Sequence, residues 1–418
     1  MDNQHKKKWS KALFICLIAN VFLTITFQLF LIYNFNDNDV AKISGDPKYY
    51  LKLINLKLIE GSFYPSIQDV NSDFMFSPGF INYAVLILNF FTSIKSLIWF
   101  NFLFIVFISV ELYLIAKKIF TQSVAQLSVV LFLSSLNTQG ISLLLLTQLP
   151  FAVMFLGAVL LILQKNIKSF FFAGILLVLA NWIRPFGLFM LISFIVFGVT
   201  SKIPIKLYLS MFSSIFISIM VIGLASYSNS DYFVYQSTTS GINMRMGAHD
   251  ASNGGYIIQA YRDNYNSPNL NFIQKDSVWK SKAINWIKEH PIEYLKLAPS
   301  KLIRLFSIDA YTLQSYKLIF FNINLNKTIS HLLFKIIYGL SFLHHLFLLI
   351  TTIVSWFFLK TNNNSFLIFC WVYIFLCIGV TCLTVGEPIY RHQLDLLFCV
   401  ISAKTLVVVF SKFNKDKA

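Results

Sequence analysis

Long apolar runs, broken by short polar clusters, dominate the chain. A bilayer crossing takes about 20 predominantly apolar residues. Runs of that kind predict membrane spans at 11–33, 97–116, 122–137, 149–163, 168–182, 184–200, 206–227, 331–359, 364–385 and 392–411. The stretch 78–91 is apolar but too short to cross, and it reads as an interfacial or re-entrant helix. The expected fold is therefore an all-α polytopic membrane protein with about ten transmembrane helices. Two polar segments, 34–96 and 228–330, form long loops and divide the chain. Residues 1–227 form a seven-span module that includes the first loop, 228–330 a loop region, and 331–418 a three-span region. Loops of this length in a compact protein are usually functional. Within the second loop, 276–306 has helical periodicity. Ala283, Ile287, Ile292, Leu295 and Leu302 make apolar faces and are expected to break at Pro291 and Pro299. Lys280, Lys282, Lys288, Lys296, Lys301 and Arg304 make basic faces, as in helices that lie in a headgroup layer.

The polar positions orient the spans. With the N-terminus and its Lys6, Lys7, Lys8 and Lys11 inside, strict alternation puts Lys117 and Lys118, Lys165 and Lys168, Lys202 and Lys206, and Lys360 in short inner loops. Lys412, Lys415 and Lys417 fall in the inner tail. That is the positive-inside pattern, and it would invert if 78–91 crossed. Apart from Asp2 and Asp416 in the tails and Glu111 and Asp395 within spans, the acids fall in outer segments. The run 11–33 is too long for a cleavable signal and has no small-residue cleavage site, so it is expected to be retained.

Composition agrees with this picture. The 418 residues are 56% hydrophobic, 17% aromatic and 12% charged, against about 25% charged in a soluble domain. Those figures exclude a soluble enzyme and a disordered chain. The formal net charge of +16 would suit a nucleic-acid partner if it were clustered. Much of it is instead spent on topology, so no nucleic-acid partner is expected. Cys16, Cys370, Cys377, Cys382 and Cys399 all lie in spans without metal-ligand spacing and read as buried small hydrophobes.

Candidate chemistry collects at the outer ends of the spans. Asp46 stands between Gly45 and Pro47 just beyond the first span. It could take a proton from an attacking hydroxyl, hold a divalent cation, or simply cap the helix that follows. Asp73 is a second loop carboxylate ahead of Ser77-Pro78-Gly79. Arg184, in Trp182-Ile183-Arg184-Pro185, sits at an outer turn where a guanidinium suits a phosphate. Glu387, Tyr390, Arg391, His392 and Asp395 crowd the mouth of the last span, with Arg391 and Asp395 spaced to pair. Arg245, His249, Asp250 and Asn253 lie in a glycine-rich stretch that reads as a binding loop, with a tight turn at Gly254-Gly255. His345 reads as a packing histidine more readily than as a catalytic one. Short inner loops leave no room for a site, so a group donor would be lipid-linked and outside, where no nucleotide pool exists.

Taken in order, these motifs resemble the membrane glycosyltransferases of the GT-C fold. The likeness is to the bacterial branch related to protein O-mannosyltransferases and the lipid A aminoarabinose transferase. It rests on Gly45-Asp46-Pro47, Ser77-Pro78-Gly79, Ala116-Lys117-Lys118-Ile119-Phe120 and Trp182-Ile183-Arg184-Pro185. It continues through Asn253-Gly254-Gly255, a helix with Ile287, Pro291, Tyr294 and Lys301, and Glu387, Tyr390 and Arg391. The resemblance implies transfer of a sugar from a polyprenyl-phosphate donor to a hydroxyl of a glycan, lipid or protein acceptor, within membrane lipids. It implies that Asp46 is the catalytic carboxylate and that Arg391 contacts the donor phosphate. Asp73, Arg184, Arg245, Glu387, Tyr390 and His392 are further substrate-binding candidates, with a divalent cation as a candidate cofactor. Gln148 stands where such enzymes often carry an acid, and His392-Gln393-Leu394-Asp395 departs from their late motif. An O-antigen polymerase or ligase, or a lipid-linked sugar flippase, would share the polytopic plan. The first would leave the Asp46 loop unexplained, and the second would place charges at mid-membrane.

Overall fold

A computed structural model describes residues 3–43, 45–71, 76–187, 189–262, 270–359 and 364–413, with the side chains of 3–10, 358–359 and 412–413 left aside. All regular structure among them is helical. In chain order come α1 (Asn3–Tyr33), α2 (Asp39–Lys42), α3 (Asp46–Glu60), α4 (Ile67–Val70) and α5 (Pro78–Phe90). Then follow α6 (Lys95–Ile119), α7 (Gln122–Leu133), α8 (Leu136–Ile141), α9 (Gln148–Ile162), α10 (Ile167–Ile183), α11 (Met190–Thr200) and α12 (Ile205–Ser230). The second loop carries α13 (Ser240–Gly247), α14 (Ile258–Arg262), α15 (Phe272–Glu289), α16 (Pro291–Leu305) and α17 (Ala310–Asn322). Last are α18 (Lys327–Leu359), α19 (Ser365–Leu383), a short 3-10 turn at Pro388–Tyr390, and α20 (His392–Phe413).

The expectation of about ten spans is corrected. Among the described residues six helices are long and apolar enough to cross a membrane: α1 from Lys11, α6, α12, α18, α19 and α20. The runs expected to span at 122–137, 149–163, 168–182 and 184–200 form the shorter helices α7, α9, α10 and α11, of 12, 15, 17 and 11 residues. The cause is what their apolarity serves. Val124, Ala125, Phe155, Leu156, Ala173 and Leu177 are at most 1% exposed, packed inside the bundle. On α12, by contrast, Leu209, Phe216 and Val221 are 59–63% exposed, as a lipid-facing surface requires. A hydrophobic run does not distinguish protein from lipid as its neighbour. The molecule is an integral multi-pass membrane protein with those shorter helices built around its spans.

Irregular backbone at depth is held by side chains. The buried link Leu143–Leu146 joins α8 to α9, and Asn101 Nδ2 donates to Ser142 O and Leu144 O, both at 3.0 Å. Gln28 of α1 binds the Gln139 side chain and accepts from Ser142 Oγ at 2.8 Å. Non-helical backbone survives in such a bundle when its polar groups are satisfied this way. Here it delivers Thr147 and Gln148 to one end of the molecule.

The basic loops gather at the opposite end. Lys118 Nζ donates to Gln164 Oε1 at 3.1 Å, and Lys404 lies 5.3 Å from the centre of the Phe120 ring. From Lys404 back to His392 at the other end, α20 rises about 18 Å at 1.5 Å per residue.

In the second loop, the expected break at Pro291 is present and the one at Pro299 is not. Pro299 sits inside α16, on the face where Ile292, Leu295 and Ile303 are 63–71% exposed. Lys301, expected on a basic face, is 0% exposed. Its Nζ donates to Cys382 O at 2.8 Å and lies 4.3 Å from the Tyr294 ring centre, while Tyr294 Oη donates to Leu383 O at 2.8 Å. Burial pushes the Lys301 ammonium down to about 8. These bonds dock α16 on the end of α19.

Candidate active site

Between the two loops and the ends of the bundle lies a cavity of ≈ 1330 Å³. Its wall is assembled from the start of α3, the start of α9, the end of α10, the start of α11, the α16–α17 corner and the segment before α20. Asp46, Arg184, Glu387 and Tyr390 all line it. Thus residues more than 300 positions apart in the sequence meet in one space.

Gly45 is why Asp46 reaches the cavity. The cap of α3 is Gly45, at φ +83°, and Pro47 follows in the first turn. A side chain at Gly45 would be strained at that φ, and its Cβ would stand 3.1 Å from Tyr311 Oη. Asp46 is therefore the first helical residue, not the cap, and makes no capping bond. Its carboxylate is exposed to the cavity yet ringed by protein. Burial raises its carboxyl above the ordinary range, and the Arg184 charge pulls it back down.

Arg184 ends α10 and is 7% exposed. Its Nη1 donates to Thr147 Oγ1 at 3.1 Å and its Nη2 to Ile389 O at 3.2 Å. Nε is buried with no hydrogen-bond partner among the described residues. The guanidinium carbon lies 5.5 Å from the Phe186 ring centre and 5.4 Å from that of Tyr390, so aromatic faces hold the planar group. Both side-chain amide atoms of the neighbouring Gln148 are also buried without a partner among the described residues.

Across the cavity, Glu387 Oε1 accepts from Tyr256 N at 2.8 Å. Burial raises the Glu387 carboxyl, the Tyr256 bond and the Arg304 charge oppose this, and Asp309 and Asp46 add to it. Burial also lifts the Tyr390 hydroxyl to about 12, so it stays protonated and able to donate. Tyr50 and Tyr311 are raised by burial as well, with Asp46 adding to the rise in each. The pocket thus mixes carboxylates, guanidinium groups and neutral phenols, a set suited to hydroxyl-rich and anionic ligands.

Other expected site residues lie elsewhere. Arg391 is 1% exposed and does not line the cavity. It binds Ser307 O and reaches Leu305 O at 3.5 Å, and its Nε sits 3.3 Å from Asp395 Oδ1. His392 Nε2 lies 2.8 Å from Asp309 Oδ2, and His345 Nε2 is 3.1 Å from Phe306 O. These groups stand behind the 305–309 corner and grip it. Arg245 does not line the cavity either, and its Nη1 donates to Ala248 O at 2.9 Å. Asp250 accepts from Trp286 Nε1 at 2.6 Å, and His249 Nδ1 accepts from Ala251 N at 2.9 Å. The stretch at Gly254-Gly255 pairs instead with the late segment, through Gly386 N to Gly254 O at 2.8 Å. Asp73 lies outside the described residues.

Asp309, Tyr311 and Arg304 line the cavity without having been expected there. Asp309 does have a local signature, because its Oδ1 accepts from Tyr311 N and Thr312 N at 3.1 Å as the cap of α17. For a divalent cation, no three His, Cys, Asp or Glu side chains among the described residues are placed to hold one.

No family profile matches the chain, and no curated protein matches it. Solved structures do. The apo oligosaccharyltransferase of Archaeoglobus fulgidus is 12% identical over 99% of this chain and 52% of that one, with a TM-score of 0.51. The same archaeal oligosaccharyltransferase, AglB, in complex with an inhibitory peptide and a dolichol-phosphate, is 12% identical over 99% of this chain and 51% of that one, at 0.50. A third structure, of that enzyme with Zn and sulfate, is 13% identical over 88% of this chain and 45% of that one, at 0.49. The chain spans about half the length of these proteins and is similar to them in fold. That likeness is one of fold, and it does not single out a bacterial branch.

Proposed function

We propose that this protein is a membrane glycosyltransferase that moves a sugar from a polyprenyl-phosphate donor to an acceptor hydroxyl. The observation that carries this is the facing pair in the cavity. Asp46 is a carboxylate without a capping bond, and Arg184 is a buried guanidinium with Nε unused, electrostatically coupled to it. The acceptor oxygen attacks C1 of the sugar and its proton passes to Asp46. The bond from C1 to the phosphate oxygen breaks, and its electron pair leaves on the polyprenyl phosphate. Arg184 stabilises the charge that develops there, the larger catalytic effect of such a group. This departs from the expectation for Arg391, whose donors are already committed to Ser307 and Leu305.

The AglB likeness supports the lipid-phosphate donor, since that enzyme is seen with a dolichol-phosphate. The placement of the basic loops at the far end supports a cavity that faces outward. Tyr390 and Glu387 would bind sugar hydroxyls. Asp46 and Glu387 would be the cavity's candidate cation ligands, but a third donor is not gathered beside them among the described residues, so the steps above use the chain's own groups.

The test is transfer by the purified chain in liposomes, given radiolabelled polyprenyl-phosphate sugars and a mixed acceptor extract. Asp46→Asn should lower transfer by at least about a hundredfold, the usual scale of a lost general base, while leaving membrane insertion unchanged. Wild-type rates from that variant would overturn the assignment.

A further inference from the structure

Arg184 is not the only guanidinium in the cavity wall. Arg304, in the last turn of α16, lines the same space from the side of the second loop. It is half-buried, yet its side chain makes no hydrogen bond or ion pair among the described residues. Glu387 feels its charge, and Glu387 Oε1 is already engaged by Tyr256 N. Gly255 explains how the guanidinium is held open. A Cβ there would stand 2.5 Å from Arg304 Nη1 and 2.8 Å from its Cζ, so the glycine lets the loop backbone pass close to the guanidinium, and a larger residue would push that side chain aside. The loop carrying Gly255 is in turn fixed to the late segment by Gly386 N to Gly254 O and by Tyr256 N to Glu387. The result is a positioned arginine with its fork of N–H donors unspent.

With no acceptor from the described residues, the guanidinium is left to water or to a ligand in the cavity, and none of its nitrogens is among the buried unpartnered atoms. Its planar fork matches the oxygens of a phosphate or carboxylate. Three arginines line the cavity; Arg262 ends α14, and Arg184 and Arg304 stand in different surroundings. Arg184 is closed in by Thr147, Phe186, Tyr390 and the backbone of Ile389, at the ends of the membrane helices. Arg304 belongs to the extramembrane corner beside Glu387 and Gly255. The Asp46 charge acts on both Arg184 and Glu387, and Glu387 also feels Arg304.

We infer that Arg304 forms a second oxyanion subsite of the cavity, and that the acceptor is an anionic polyol or glycan with a phosphate or carboxylate near the hydroxyl that receives the sugar. The identification of that ligand as the acceptor rests on the glycosyl-transfer proposal; the subsite itself does not. An oxyanion at Arg304 could also come from the second phosphate of a diphosphate-linked donor, and the experiment separates the two sources.

The full chain in zwitterionic nanodiscs, saturated with undecaprenyl phosphate, would be titrated with tri(glycerol phosphate) and with neutral triglycerol. The phosphate-bearing trimer should bind at least about tenfold more tightly, the scale of one charge-assisted hydrogen bond. Arg304→Gln should abolish that preference, and Arg304→Lys should keep part of it. Equal binding of the two trimers, or a preference that survives Arg304→Gln, would overturn the inference. So would a loss in Arg304→Gln confined to undecaprenyl diphosphate, since it would assign Arg304 to the donor. Because the readout is binding, a chain that shows the preference but transfers no sugar refutes the transferase proposal and leaves the subsite. Transfer to tri(glycerol phosphate) that is indifferent to Arg304→Gln refutes the subsite alone.

Discussion

A carboxylate that is to take a proton must be ionised when the acceptor arrives, and Asp46 stands under two opposing influences. Burial raises its carboxyl, and the Arg184 charge lowers it. Below its pKa the base is protonated and idle, so kcat/KM should rise with pH through that value, which lies above the ordinary carboxylate range. Arg184→Gln removes the lowering influence, so the acid limb of the kcat/KM profile should move to higher pH as the maximum rate falls. Arg184→Lys should restore the position of the limb more than the rate, because it returns the charge without the fork. An unmoved limb in Arg184→Gln would show that the two groups do not communicate. At this scale the sequence is informative where a residue is framed by its neighbours. Asp46 between glycine and proline, and Arg184 before proline, are visible as positioned polar groups at span ends. Arg304 and Asp309 are not, because an arginine on an amphipathic helix and an acid at a helix start are ordinary until a corner folds them into a wall. Arg391 misleads for a related reason. Its i, i+4 pairing with Asp395 is present, but nothing local says which side of the cavity wall the guanidinium enters.

The corner between α16 and α17 shows how elements, more than single residues, shape the site. Ser307, Ile308 and Asp309 face the cavity, and behind them Arg391 holds Ser307 O, His345 meets Phe306 O and His392 meets Asp309. All three holding groups come from α18 and α20 or the turn before it, so the last spans act as a jig for an extramembrane wall. Arg391→Met would leave two buried carbonyls and Asp395 without their cation. The expected loss is about 3–5 kcal/mol, the cost of breaking a buried pair, measured as reduced resistance to chemical denaturation in detergent. Asp46→Asn should show no such loss. If Arg391→Met instead kept wild-type stability and only raised KM for the donor, Arg391 would be a substrate ligand and not a clamp. The break at Pro291 was legible because proline starts a helix well. Pro299 was not, because its ring sits on an exposed face of α16 where a missing N–H and a bent turn are tolerated.

At the scale of the whole molecule, hydrophobicity and charge carried different information. Apolar runs located nearly every helix of the bundle but overcounted the spans. Residues buried against protein and residues facing lipid obey the same composition; α7 and α9 belong mainly to the first kind, and α10 and α11 combine both, with Phe172, Ile192, Ile195 and Val199 exposed. The lysines do not share that ambiguity, since each marks a membrane side wherever its helix packs. Those of the short loop after α6 sit at the end where Lys118 meets Gln164, while α10 runs from that end to Arg184 over 17 residues, about 25 Å. The cavity should therefore open on the face opposite the lysines. Single cysteines at Lys165 and Tyr256, in a chain whose five native cysteines are replaced, test this directly. In intact cells an impermeant maleimide should label the cysteine at 256, which is 59% exposed in the wild-type residue, and should reach the one at 165 only after the membrane is opened. Labelling of both positions from outside would mean that the two ends do not lie across the membrane from each other. Labelling of 165 alone would turn the cavity toward the cytoplasm, where nucleotide-linked donors exist, and the reason for a lipid-borne donor would fall with it.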